Sequence, residues 1–197
     1  MEFRRVVRHR RMVRDFAPDP IPRGVLKRVL ETGLHAPSAG FAQGLELIVL
    51  DQPEQIEEFW TITDPWARKA GGRRGDPPVV VIPMGNVHTY LARYSESDKQ
   101  GLGMDVRDGW PVPYWDLDAA MSVMLILLAA VDEGLGGWYF GIFHGEAELM
   151  RHLGVPEGLR PIGAVALGYP TEGEQRRGSG LWRERKPLEE ALHFGRW

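Results

Sequence analysis

Residues 117–142, LDAAMSVMLILLAAVDEGLGGWYFGI, constrain the fold more than any other stretch. Between Ala119 and Val131 the one polar side chain is Ser122, so a helix there is apolar on nearly every face. Such a helix belongs in the interior of something larger. Asp116 or Asp118 stands where a carboxylate can cap its start, accepting orphan N–H groups at the positive helix end. Gly134, Gly136 and Gly137 stop it, and a short apolar strand follows. The run falls short of the roughly 20 apolar residues of a membrane span. It reads as a core helix. It can also lie at a subunit interface, because a small domain rarely has enough elements to cover one helix on all sides.

A chain of 197 residues suits one domain, and equally a two-chain unit with a shared core. The hydrophobic share of 43% beside 26% charge places it among globular proteins. A net charge of −3 argues for neither nucleic acid nor membrane as a partner. Without cysteine there is no disulfide, thiolate nucleophile or thiolate metal site. His9, His35, His88, His144, His152 and His193 are scattered, with no helical pair at metal spacing, so no metal is expected. There is no Gly-x-Ser-x-Gly elbow and no P-loop lysine motif. Gly134-Leu-Gly136 follows a helix instead of opening one, so it is not a dinucleotide fingerprint. An enzyme made from these residues leaves the hard chemistry to a cofactor. Arginine clusters at both ends of the chain suggest that the cofactor bears phosphate. The arginine-rich N-terminus lacks an apolar signal core, so a soluble cytoplasmic protein is expected.

Along the chain, residues 1–14 carry Arg4, Arg5, Arg8, Arg10, Arg11 and Arg14, either a solvated basic face or an anion site. A short helix through Arg8 and then an extended run are expected. Residues 17–22, APDPIP, form a stiff connector, since each proline fixes its own φ and restricts its predecessor. Val25, Leu26, Val29, Leu30 and Leu34 have helical spacing, so residues 23–35 form an amphipathic helix. A loop of small residues, 35–44, leads to a strand over 45–50 and a short helix over 53–62. Residues 70–78 read as a flexible loop, 79–83 as a buried strand and 87–94 as one or two helical turns. Residues 95–109 are polar and glycine-rich, a candidate lid. Trp110 to Trp115, WPVPYW, make an apolar ledge that is either packing or a wall of a substrate pocket. A helix over 146–153 and a doubly buried strand over 161–169 complete the core. The tail, with Trp182, Leu192, Phe194 and Trp197, needs a surface to pack on.

Four blocks in this order resemble the nitroreductase family of FMN-dependent flavoproteins. The first is Arg10-Arg11-Met12-Val13-Arg14-Asp15-Phe16 with Pro20-Ile21-Pro22. The second is Ala36-Pro37-Ser38-Ala39-Gly40-Phe41-Ala42-Gln43. The third is the apolar helix, Gly-Leu-Gly, and a strand ending at Tyr139-Phe140-Gly141. The fourth is Leu153-Gly-Val-Pro156, Gly168-Tyr169-Pro170 and a basic pair ahead of Pro187. The resemblance covers almost the whole chain. It implies an α+β fold, a central mainly antiparallel sheet flanked by helices, in an intertwined homodimer. Residues 1–197 would form one domain, with 171–197 an arm on the partner subunit and two FMN sites at the interface.

By the same resemblance, Arg10, Arg11 and Arg14 match positions that hold the FMN phosphate and ribityl chain, and Arg183 and Arg185 match the late basic pair that completes the site. Pro37, Ser38, Ala39 and Phe41 match the loop that reaches the flavin from the other subunit. Tyr139, Phe140 and Gly141 match the backbone beside flavin N5 and O4. Phe41, Trp110, Tyr114 and Trp115 are the candidate aromatic surround of the substrate. Hydride transfer from NADH or NADPH to a nitroaromatic, quinone or other conjugated acceptor is the activity implied, and no side chain is assigned a catalytic role. The alternative is a specialised reaction on the same scaffold: flavin fragmentation, reductive dehalogenation, ring dehydrogenation, or use of a deazaflavin. Three departures bear on the acceptor: Met12 stands for a serine, Phe41 for an asparagine, and Gly44-Leu45 for Pro-Trp.

Overall fold

The strand Val79–Asn86 (β2), VVVIPMGN, is buried at every residue but the last. A strand buried on both faces must sit inside a sheet that is covered on both sides. β2 pairs with Leu45–Leu50 (β1) on one edge, and with Leu159–Pro161 (β4) and Ala164–Gly168 (β5) on the other. β5 pairs in turn with Gly136–Phe140 (β3). The order is β1-β2-β5-β3, with β4 beside β2, and every ladder is antiparallel. The computed structural model describes residues 1–64, 75–174 and 181–197. Arg73 and Arg74, and most of the loop expected over 70–78, lie outside them.

The strand expected over 161–169 begins earlier, at Leu159, and is interrupted at Ile162 and Gly163. Gly163 has φ +133°, and a Cβ there would lie 2.6 Å from the Phe140 carbonyl oxygen. Only glycine accommodates both conditions. Alternation along β2 then sorts the core. Val79 and Val81 face Leu26 and Val29 of the helix Arg23–Gly33 (α2) and Val123, Ile126 and Leu127 of the helix Tyr114–Asp132 (α5). Val80 and Ile82 face Ile56, Phe59 and Trp60 of Pro53–Thr63 (α3) and Leu149 of Glu146–His152 (α6). Phe3–His9 (α1) and Val87–Tyr94 (α4) complete the described helices. The α+β arrangement is the one the sequence implied.

The apolar helix differs from expectation at its start. α5 begins at Tyr114 after Pro113, so neither Asp116 nor Asp118 is its cap. Asp116 lies in the first turn, and Asp118 is buried inside the helix. With 19 residues and mean hydropathy 1.6, α5 is long and apolar enough by length and composition to cross a membrane, contrary to the reading that it is too short. Its packing is that of a core helix: Ala119, Ser122, Val123, Ile126, Leu127 and Ala130 form one buried stripe at helical spacing. Leu117, Met121 and Met124 are apolar and exposed on the other side.

The polar loop expected over 95–109 contains two short 3-10 turns, Ser97–Lys99 and Arg107–Gly109. Residues 181–197 are exposed throughout, with Trp182, Phe194 and Trp197 at 73%, 88% and 98% of full exposure.

Candidate active site

The arginine segment lies along the outer edge of β3. Val13 donates its N–H to Gly137 O at 3.0 Å, and Met12 makes a parallel bridge to Gly137. Farther on, Phe16 bridges Pro170 and Ala17 N–H donates to Tyr169 O at 2.8 Å. Residues 10–17 therefore act as an added strand that crosses from β3 to the end of β5. Val13 and Phe16 are buried against Ala166, which fixes the segment, while Arg10, Arg11 and Arg14 stay half-buried at the rim.

Each arginine has a different setting. The Arg14 guanidinium stands 5.7 Å from the Trp138 ring centroid, a cation–π contact worth about 0.5–1 kcal/mol at a partly exposed site. Arg11 Nη1 is paired with Glu174, whose side chain is 1% exposed. Glu174 Oε1 also faces the backbone N–H of Arg14 at 3.4 Å. A carboxylate thus sits against a guanidinium and a main-chain N–H, so the donors at this edge are arranged to receive an oxyanion. Met12 does not join them. Its sulfur faces Tyr139 N–H at 3.4 Å and packs into the core beneath α5.

Next to this edge is the corner where β3 ends. The Tyr139 hydroxyl donates to Ile162 O, and burial pushes the phenol above its ordinary value, so it is neutral. Phe140 turns toward Trp60 and Trp138, so its side chain is a packing group. Gly141 is exposed, and among the described residues its N–H has no backbone partner. Main chain, not side chain, is what this corner offers a ligand.

The loop of small residues is held from another direction. Ala39 N–H donates to Asp118 Oδ2 at 2.8 Å, and Arg93 Nε donates to Gly40 O at 2.8 Å. Gln43 N–H donates to Ser38 Oγ at 3.0 Å. Phe41 and Gln43 have φ of +57° and +55°, a left-handed conformation that costs a residue with a side chain roughly 1–2 kcal/mol. Pro37 and Phe41 are exposed, Ser38 and Ala39 half-buried. Among the described residues, none of the loop's hydrogen bonds reaches residues 10–17 or 139–141. Within one chain, the two halves of the expected flavin site are separate.

Trp110 and Trp115 are packing residues, 8% and 6% exposed in a cluster with Tyr90, Ala42 and Val87. Trp110 Nε1 donates to Met104 O at 2.7 Å, and its ring lies 5.9 Å from those of Tyr90 and Trp115. Both rings also line a cavity of about 350 Å³ with Arg107, Asp116 and Arg160. Burial raises the Asp116 carboxyl, against the pull of Arg160 and Arg107, and its Oδ1 is buried with no partner among the described residues. Tyr114 remains at the surface beside Trp110.

Arg183 and Arg185 lie on the exposed tail. Arg183 stands 6.0 Å from the Trp182 ring centroid, and among the described residues neither arginine bonds to residues 10–14. The two basic clusters are not brought together within this chain.

Tyr90, Arg93 and Glu174 escaped the sequence reading, and Asp118 was expected only as a candidate cap. For Asp118 the signal was Pro113, a residue suited to a helix start, which moves the first turn forward and the aspartate inside. Glu174 had no signal, because its partner is 163 residues away.

Residues 7–169 match the Nitroreductase family. Over 199 residues the chain is 23% identical to the NADPH-dependent oxidoreductase of Staphylococcus saprophyticus, spanning 98% of this chain and 72% of that one. A nitroreductase family protein of Clostridium difficile 630 shares the fold over 100% of both chains, with a TM-score of 0.74 at 18% identity. A Desulfovibrio desulfuricans chain solved in complex with FMN does so over 98% of this chain and 95% of its own, with a TM-score of 0.68 at 22% identity. With the family match spanning most of its length and the sheet, arginine edge and glycine corner in place, this chain belongs to the nitroreductase family of NAD(P)H-dependent oxidoreductases.

Proposed function

We propose that the protein is an FMN-dependent oxidoreductase that works as a homodimer and reduces a nitroaromatic, quinone or other conjugated acceptor with NADH or NADPH. The observation that carries the reading is the edge of β3. The Arg11 guanidinium and the Arg14 N–H already receive a carboxylate there, beside a corner of exposed main chain at Gly141. FMN, when bound, supplies the two-electron chemistry of hydride acceptance and return. Arg10 and Arg14 hold its phosphate, with Arg11 shared between phosphate and Glu174. Tyr139 to Gly141 present backbone to its ring edge. Phe41, from the partner subunit, limits water and shapes the acceptor site. Stacking and orientation do the catalytic work, and no side-chain acid or base is required of the chain.

Two features support the homodimer. Among the described residues, the loop that carries Phe41 has no hydrogen bond to the arginine edge of its own chain, and the outer face of α5 is apolar and exposed. The experiment is anaerobic spectroscopy of purified protein. A flavin spectrum bleached by NADPH or NADH and restored by menadione or a nitrofuran is expected. Protein that neither carries nor binds FMN would overturn the reading. Arg10→Ala and Arg14→Ala should each weaken FMN about tenfold, the scale of one charge-assisted contact. Unchanged affinity in both variants would remove the phosphate assignment.

A further inference from the structure

We infer that Asp118 is a positioning residue for the reaction: from inside the core helix it fixes the Pro37–Gln43 turn so that Phe41 stands as a rigid wall of the acceptor site. The inference rests on the flavin reading above and extends it to a residue with no contact to flavin. Asp118 is 6% exposed in a helix that is otherwise almost wholly apolar. One oxygen, Oδ2, accepts from the Ala39 N–H at 2.8 Å and from the Tyr90 hydroxyl at 2.7 Å. A buried carboxylate needs such donors, and here one donor belongs to the loop and the other to α4.

The loop is pinned a second time. Arg93 gives its Nε to Gly40 O, and its terminal nitrogens are held by both Asp98 oxygens at 2.7 Å. The two anchors, on Ala39 and Gly40, stand directly before Phe41, which takes a left-handed conformation. A turn that merely closed the chain could relax that strain. This one keeps it, and at its tip holds an aromatic ring 73% exposed. A strained backbone, two anchors and a projecting ring are what presents a side chain to something outside the chain. Asp118 therefore acts through Phe41, and through the main chain of Ala39, on the binding of the acceptor.

The test is steady-state and rapid-mixing kinetics of the FMN-loaded protein with NADPH and menadione. Asp118→Ala should raise KM for menadione about tenfold, as expected for loss of a charge-assisted hydrogen bond, with flavin reduction by NADPH changed less than about twofold. Asp118→Asn, which keeps one acceptor oxygen, should restore most of the loss. Asp118→Ala, or Asp118→Ser should the alanine variant fail to fold, is also combined with Phe41→Ala. Coupled, non-additive effects on KM are expected if both act through the ring. Wild-type KM in both Asp118 variants, or strictly additive effects with Phe41→Ala, would overturn the proposal. Wild-type protein whose flavin neither NADPH nor NADH reduces would instead overturn the underlying reading, before any variant is compared.

Discussion

At the scale of single residues, two aspartates two positions apart on α5 have opposite environments. Asp118 is buried with one oxygen accepting two hydrogen bonds, whereas Asp116 has an oxygen buried without a partner among the described residues. Burial raises the Asp116 carboxyl above its ordinary 3.8, and the arginines nearby offset this only in part. The native state therefore keeps this proton to a higher pH than the unfolded chain does. Stability is lost as pH rises through the interval between the two values and stays lowered above it. Asp116→Asn should thus stabilise the protein at pH 7 by roughly 1 kcal/mol, the scale of an unpaired buried acceptor, and by nothing below about pH 3. Thermal unfolding of both proteins across pH 3–8 checks this, and a gain equal at both ends would show that charge is not the cause. None of this was legible in the sequence. Both aspartates stand at the mouth of an apolar run, and only the position of Pro113 separates a cap from an interior residue.

At the scale of elements, the sequence reading did best where periodicity is strong. α2 and β1 follow from apolar spacing, β2 was expected over 79–83 and runs on to Asn86, and the buried stripe of α5 has helical spacing even though its composition hides it. It did worst where an element depends on a distant partner. The extended run after Arg8 was expected, but not its place in the sheet: β3 offers it an edge, and can do so because Gly136 is bare. A Cβ on Gly136 would lie 2.7 Å from Val13 Cβ, itself fixed by the Val13 N–H bond to Gly137. Gly136→Ala should therefore push residues 10–14 off the sheet. A stability loss of about 1–3 kcal/mol is expected, as for overpacked cores, together with weaker FMN binding. Fluorescence titration with FMN alongside denaturant unfolding tests both halves. If stability falls while FMN affinity holds, the segment is structural and the phosphate site lies elsewhere.

At the scale of the whole molecule, several large apolar side chains remain exposed. Leu117, Met121 and Met124 project from one side of α5, Phe41 projects from the loop that α5 anchors, and the tail carries Trp182, Phe194 and Trp197 in the open. Scattered exposed apolar residues need no explanation, but a face continuous with the support of a candidate site does. The sequence showed the apolar residues; their division between home core and outer face required the packed helix. A second copy laid against α5 would cover Met121 and Met124 and carry its own Phe41 loop toward the arginine edge, joining the halves that one chain keeps apart. The double variant Met121→Asp, Met124→Asp leaves the inner stripe untouched, so the monomer should still fold. It should run at half the wild-type mass in sedimentation and bind FMN at least about tenfold more weakly, because a like-charged, desolvated interface costs several kcal/mol. Removing residues 181–197 separates the contributions of helix and tail: a truncated chain that remains dimeric assigns association to α5. A charged variant that stays dimeric with wild-type flavin content would show that this face of α5 is not the interface.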